Sequence, residues 1–190
     1  MLTNWLARKA SSVGCTIRRQ NKASNAHKVL RQVNAAAPDP AAELELALQR
    51  SEKVAAASAT PTTGADLVLE ACAATDRPVA IVSNNTASAI DTYLDEHELR
   101  PLVRAVFGRD PHDVSLMKPD TYLLELALRQ LGAERSATVF VGDTVTDMQA
   151  GASALIWRVG YANKPGDWGA LARAGADSLI TDMTEFAAAL

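Results

Sequence analysis

Along the first 35 positions the apolar residues follow no clear period. From 40 to about 57 they do. Leu44, Ala47, Leu48, Val54 and Ala55 fall on one stripe of a 3.6-residue repeat, with Glu43, Gln49, Arg50 and Lys53 off it, which predicts an amphipathic helix. Pro61-Thr62-Thr63-Gly64 breaks the pattern. Beyond the break, short uninterrupted apolar runs alternate with helical stripes. Residues 79–82 predict a strand ended by Ser83-Asn84-Asn85, and a helix follows with Ala87, Ile90, Leu94 and His97 on one face. Residues 105–107 predict a second strand, closed by Gly108. Pro119 opens a helix whose Leu124, Ala127, Leu128 and Leu131 repeat at 3, 4 and 7. Residues 138–141 predict a third strand, with a helix beginning near Thr144. Residues 155–159 and 178–180 predict two more, with a helix around 169–174 between them.

Alternating helices and uninterrupted apolar strands imply an α/β architecture, a parallel sheet covered on both faces, in which ligands sit at the carboxyl ends of the strands. Three polar groups fall at such ends. Ser83 and Asn84 follow the first strand, where a hydroxyl and the N–H groups entering a helix can hold a phosphate. The same residue types also end strands and cap helices for purely local reasons. In Met117-Lys118-Pro119-Asp120 the proline suits a first helical turn, which sets the Lys118 ammonium beside a helix start, an unfavourable place unless an anion is near. Taken alone, Lys118 reads as an exposed lysine pointing into water. In Val141-Gly142-Asp143-Thr144-Val145-Thr146-Asp147, Gly142 permits a sharp exit from a buried strand, Asp143 stands at the strand tip, and Asp147 lies one helical turn on. Two carboxylates converging there repel each other unless a cation lies between them. Mg2+, a hard ion taking carboxylate and water oxygens, is the natural candidate. Helix capping explains either acid singly, but not why both follow a glycine at a strand end.

Composition narrows the field. A chain of 190 residues, 48% hydrophobic and 22% charged, fits one ordinary domain or a core with a small lobe. The longest apolar runs, such as 137–141, stop far short of a bilayer span, so no membrane partner is expected. Cys15 and Cys72 lack CxxC spacing and build neither a disulfide framework nor a zinc site, which points to a reducing cytoplasm. His27, His97 and His112 show no metal-ligand spacing and read as surface or packing residues, and Trp157 and Trp168 read as core or cap-facing packing. The net charge of −3 is unevenly spread: the residues before Asp39 carry seven basic and no acidic side chains. A solvated leader is the preferred reading of that stretch, ahead of a transit peptide or a nucleic-acid contact. It has no aromatic interleaving or reading motif, so no nucleic-acid partner is expected.

Taken together and in order, Ser83, Lys118, Asp143 and Asp147 resemble the second, third and fourth motifs of the haloacid dehalogenase (HAD) superfamily, phosphatase type. The resemblance covers 61–190, and Gly160-Tyr161-Ala162-Asn163-Lys164-Pro165 is similar to the loop after the fourth motif. Response-regulator receivers also use Asp, Ser/Thr and Lys, but place the carboxylates first, the reverse of the order here. The resemblance implies a HAD-like Rossmannoid fold, a three-layer parallel sheet over 61–190. It implies that the helical segment before Pro61 is a small α-helical cap, either whole or cut short, which with the leader read from charge fills 1–60. It implies Mg2+-dependent hydrolysis of a phosphomonoester, with a small phosphorylated molecule as partner. The helix stripe before Pro61 serves an intramolecular or a dimeric contact equally well, so monomer and homodimer are both open. Ser83 and the Asn84 backbone would hold phosphoryl oxygens, Lys118 would offset charge on the phosphoryl group, and Asp143, assisted by Asp147, would bind the metal.

The family's first motif, an apolar strand ending Asp-x-Asp, supplies the nucleophile and the general acid–base. It has no counterpart here. The acids before Pro61 are Asp39, Glu43, Glu45 and Glu52; Asp39 lies between two prolines, and 12–17, which could form a short strand, contains no carboxylate. The resemblance places the missing strand mid-sheet, between the strand ending at Ser83 and that ending at Asp143. Its loss leaves a gap of about 10 Å or a re-paired sheet. Two readings follow: a chain that starts downstream of its true start, or a degenerate relative that binds phosphate and Mg2+ weakly without turnover. The alternative is a non-catalytic binding or interaction protein on the same fold.

Overall fold

A computed structural model describes residues 24–36 and 38–190, apart from the side chains of residues 24, 25, 38 and 39. Two helices, α1 (Ser24–Ala36) and α2 (Pro38–Ala57), pack together first. For residues 24–35, α1 corrects the reading that the apolar positions follow no clear period; residues 1–23 lie outside the described residues. Ala26, Val29, Leu30 and Val33 repeat at 3, 4 and 7 and are all buried, against Ala41, Leu44 and Leu48 of α2. The polar residues between them, Lys28, Arg31 and Gln32, hide a stripe this short from sequence inspection. In α2 the expected Leu44 and Leu48 face inward, but Val54 and Ala55 are exposed, and the inward positions of the stripe include the acids Glu45 and Glu52.

After Gly64 the alternation predicted from the sequence appears. In order come α3 (Ala65–Ala74), β1 (Ala80–Val82), α4 (Ala87–Glu96), β2 (Ala105–Phe107), α5 (Tyr122–Leu131) and β3 (Val139–Gly142). Then follow α6 (Val145–Ser153), β4 (Trp157–Tyr161), α7 (Asp167–Arg173), β5 (Ser178–Ile180) and α8 (Met183–Ala187). Every strand pairing is parallel. Adjacent residues in a strand face opposite sides, and the layers follow from that. Ile81 and Val106 pack with Leu69 of α3 and with Ile90 and Leu94 of α4. Val82 and Phe140 pack on the cluster of Leu124 and Leu128 from α5, Ala150 from α6, Ala154 and Ile156. Helices therefore cover both faces, as a three-layer α/β fold requires.

The sheet is divided. β1 pairs with β2, and β3-β4-β5 form a second group; among the described residues β1 and β3 are not paired with each other. The candidate strand at 12–17, which would bear on the gap or re-pairing expected for a missing central strand, lies outside the described residues. β1 is half-buried throughout, and β3 is half-buried after an exposed Val139.

Local chemistry moved several predicted boundaries. Pro119 does not open α5: it lies in a turn closed by Asp120 N–H to Met117 O at 3.1 Å, and the Lys118–Pro119 peptide is cis. The helix starts at Tyr122, whose N–H is taken by Asp120 Oδ1 at 2.8 Å. Leu155 belongs to a turn at φ +56°, not to β4. On α4, Ala87 is exposed and the buried face is Ala89, Ile90 and Leu94. Trp157 and Trp168 are 60% and 53% exposed, which overturns their assignment to packing: one opens β4 beside Val139, and the other sits in the first turn of α7. No helix among the described residues is long and apolar enough to cross a membrane.

Candidate active site

Ser83 extends β1 by one bond, its N–H donating to Phe107 O at 2.9 Å, and its Oγ then accepts the Asn85 N–H at 3.1 Å. The turn so formed aims the Asn84 side chain at the lysine loop. Asn84 Oδ1 accepts the Lys118 N–H at 2.8 Å while Nδ2 donates to Lys118 O at 3.1 Å. Both backbone groups of Lys118 are thereby held by one amide.

The Lys118 ammonium is not in water. It donates to Val82 O at 2.9 Å at the end of β1, pairs with Asp147 Oδ1 at 2.7 Å, and lies 5.4 Å from the centre of the Phe140 ring. Since the lysine precedes the helix start by several residues, the expected clash with a helix dipole does not arise. Its anion is Asp147. That carboxylate is anchored on its other oxygen, where Thr144 donates its N–H at 3.0 Å and its hydroxyl at 2.6 Å to Oδ2, in a capping box at the start of α6. Gly142 makes the approach possible: a Cβ there would fall 2.4 Å from Asp147 Cβ. Asp143 stands at the strand tip with its side chain 41% exposed and Lys164 Nζ 3.9 Å away.

Ser83, Asn84, Lys118 and Asp147 therefore meet at the carboxyl ends of β1 and β3, with Asp143 on the adjoining tip. Beside Asp143 opens a pocket of about 320 Å³, lined by Thr62, Ala65, Val141, Gly142, Tyr161 and Asn163 among others. A larger cavity, about 590 Å³, is bounded by Glu125, Arg129, Arg135 and Leu155 at the opposite end of the strands. There Arg135 is already bound to Glu125 at 2.7 Å, and none of the strand-end residues above takes part, so the chemistry belongs to the smaller pocket. Among the described residues no group of three His, Cys, Asp or Glu side chains gathers as a ready metal site.

A second polar cluster was not anticipated. The Arg109 guanidinium is fully buried and pairs with Glu45 at 2.9 Å and Glu52 at 2.8 Å, and it also donates to Asn84 O. Glu52 further accepts the Thr86 N–H at 3.0 Å and lies 3.2 Å from His27 Nε2. Burial alone would raise the Glu52 pKa, but the bonds from His27, Arg109 and Thr86 together outweigh it and hold the carboxyl down to about 2. Burial likewise opposes the charge of Arg109, whose two carboxylate partners nevertheless push its pKa up. Glu45 and Glu52 sit seven apart on the apolar stripe of α2, a signal visible in the sequence; Arg109, far along the chain, announces nothing.

The haloacid dehalogenase-like hydrolase family model matches residues 13–160. Among curated proteins, none matches the sequence. Solved structures with the same fold include a hydrolase from Pseudomonas syringae, 18% identical with a TM-score of 0.77 over 97% of this chain and 88% of that one. A predicted phosphatase from Clostridium acetobutylicum is 13% identical, TM-score 0.77, over 99% and 89%. CbbY from Rhodobacter sphaeroides, in complex with xylulose-(1,5)bisphosphate, is 14% identical, TM-score 0.70, over 97% and 88%. At these identities the structures speak for the fold alone, but the family match spans most of the chain and includes every strand-end motif described above. The chain belongs to the haloacid dehalogenase-like hydrolases.

Proposed function

We propose that the chain binds a small phosphomonoester at the rim formed by Ser83, Lys118 and Asp143, on a hydrolase core that lacks the attacking carboxylate and so binds without turning over. One observation carries this reading: the Lys118 ammonium bridges the end of β1, next to Ser83, and Asp147 beyond β3. The Ser83 hydroxyl and the Asn84 N–H would take phosphoryl oxygens. Lys118 would offset phosphoryl charge, with Asp147 keeping the ammonium oriented in a site drier than bulk water. Mg2+ suits Asp143, a half-exposed carboxylate held only loosely by Lys164. Asp147 would assist, since its Oδ1 keeps a lone pair beside Lys118. One or two carboxylates with water and phosphate oxygens is the usual Mg2+ environment. When bound, the ion would shield phosphoryl charge. The CbbY complex with a sugar bisphosphate supports the ligand class. The two isolated cysteines favour a cytoplasmic setting.

Residues 1–38 contain no Asp or Glu, so they offer the covalent aspartyl route no nucleophile, and electrostatic stabilisation alone leaves nothing to attack phosphorus. The test is calorimetric titration with inorganic phosphate in Mg2+, alongside hydrolysis of an aryl phosphate. Expected are saturable binding that Lys118→Met abolishes, and hydrolysis at the buffer rate. Phosphate binding indifferent to Lys118→Met would remove the site, and brisk turnover lost in Asp143→Asn would overturn the claim of inactivity. A second reading, a protein-interaction module, draws on Val139 and Trp157, register neighbours that are both half-exposed or more. Wild-type protein that takes up no phosphate decides for it.

A further inference from the structure

Lys118 is gripped from outside the rim, by the helical pair that precedes the α/β core. Met117 has extended backbone (φ −69°, ψ 148°), so the side chains of Met117 and Lys118 diverge. Met117 is buried in the α1–α2 cluster with Leu30, Val33 and Leu44, while Lys118 turns toward Asp147. From α1, Arg31 Nη2 donates to Met117 O at 2.9 Å and to Lys118 O at 2.6 Å. From α2, Glu45 and Glu52 fix Arg109, whose Nη1 donates to Asn84 O, and the Asn84 side chain then binds the Lys118 N–H and C=O.

We infer that Arg31 and Arg109 are positioning residues for Lys118, and that the α1–α2 pair is a fixed buttress of the anion site. The inference rests on the reading of Lys118 as the anion-site cation. The argument is one of leverage. A lysine tip sits at the end of four rotatable bonds, so its place is only as definite as the backbone that carries it. Here the peptide N–H is held from the core side by Asn84, and the C=O from both sides, by Asn84 and Arg31. A side chain that merely stabilised the helical pair would have no reason to end on these two carbonyls. Burial opposes the charge of Arg31, with Asp120 partly offsetting it, so placing the guanidinium there is not free of cost.

The experiment reads Lys118 directly. Full-length wild-type, Arg31→Ala, Arg31→Lys and Arg109→Gln proteins are treated at one pH with an acylating reagent, and peptide mass spectrometry follows Lys118 against Lys164, whose side chain is 67% exposed. The expected ratio of Lys118 to Lys164 labelling rises about tenfold in Arg31→Ala and Arg109→Gln, the loss of a charge-assisted bond. It rises only about threefold in Arg31→Lys, which keeps one bond. A wild-type ratio in folded Arg31→Ala overturns the proposal. Should Arg31→Ala lose its thermal transition, Arg31→Lys decides by the same ratio: a graded rise supports positioning and a wild-type value overturns it. Phosphate titration of the same proteins keeps the two ideas apart. Wild-type protein that binds no phosphate ends the anion-site reading, whereas the labelling ratio alone decides whether the arginines position the lysine.

Discussion

A lysine and an aspartate 2.7 Å apart, with 10% and 6% of their side chains exposed, depend on one another in a way surface pairs do not. Removing one partner leaves the other charge buried. Lys118→Met is expected to cost about 3 kcal/mol in urea unfolding, and the double variant Lys118→Met/Asp147→Asn less than the sum of the singles. Strict additivity would mean that the pair carries no coupling. Gly142 guards the same contact. With a Cβ 2.4 Å from Asp147 Cβ and 2.8 Å from its Oδ2, G142A must displace either the strand exit or the carboxylate. A loss of about 1–3 kcal/mol is expected, with Lys118 labelled faster as Asp147 moves away. An unchanged melting temperature would show that the strand tip yields freely. The sequence singles out Ser83 and Asp143 because each directly follows or ends a strand, Asp147 by its place one helical turn on, and Lys118 only by its Lys-Pro setting and its order among the motifs. It does not reveal what Lys118 faces, since an internal counter-ion from 29 positions downstream leaves no local trace.

Elements were read well where contrast was strong and poorly where it was not. The five strands of the described residues are short apolar runs bounded by polar turns, and the sequence pattern marks each within a residue or two. α3, whose sequence is ADLVLEACAA, is apolar on nearly every side and offers no stripe, and α8 has only five residues, too few for any period. α2 carries the opposite lesson, because its acids on the buried stripe are functional members of the interface with the core. Glu52 makes that testable by pH. Its folded pKa of about 2 lies below the ordinary value of 4.5, so its contribution is complete above pH 4.5 and is lost as pH falls toward 2. That limb should amount to roughly 3 kcal/mol at most and should flatten in Glu52→Gln. An acid limb of equal depth in Glu52→Gln would assign the loss to other carboxylates.

At the scale of the whole molecule the question is what keeps two sheet fragments in one fold. Among the described residues no strand pairing joins β1 to β3, and side chains connect the two groups. Two links are visible. Lys118 ties the strand ends, from Val82 O to Asp147. Beneath it, Val82 from one fragment and Phe140 from the other rest on the same cluster of Leu124, Leu128, Ala150, Ala154 and Ile156. A hydrophobic cluster contacted from both sides transmits stability without backbone bonds, because dense packing allows little independent movement. Leu124→Ala should therefore cost about 2–5 kcal/mol and act on both fragments at once. Amide exchange resolves this residue by residue: protection should fall together at the Ile81–Val106 and Val141–Val159 pairs, which lie in different fragments. If exchange quickened in β1 and β2 while β3 to β5 kept wild-type protection, the fragments would be separate folding units, and the lysine bridge would be the weaker tie between them.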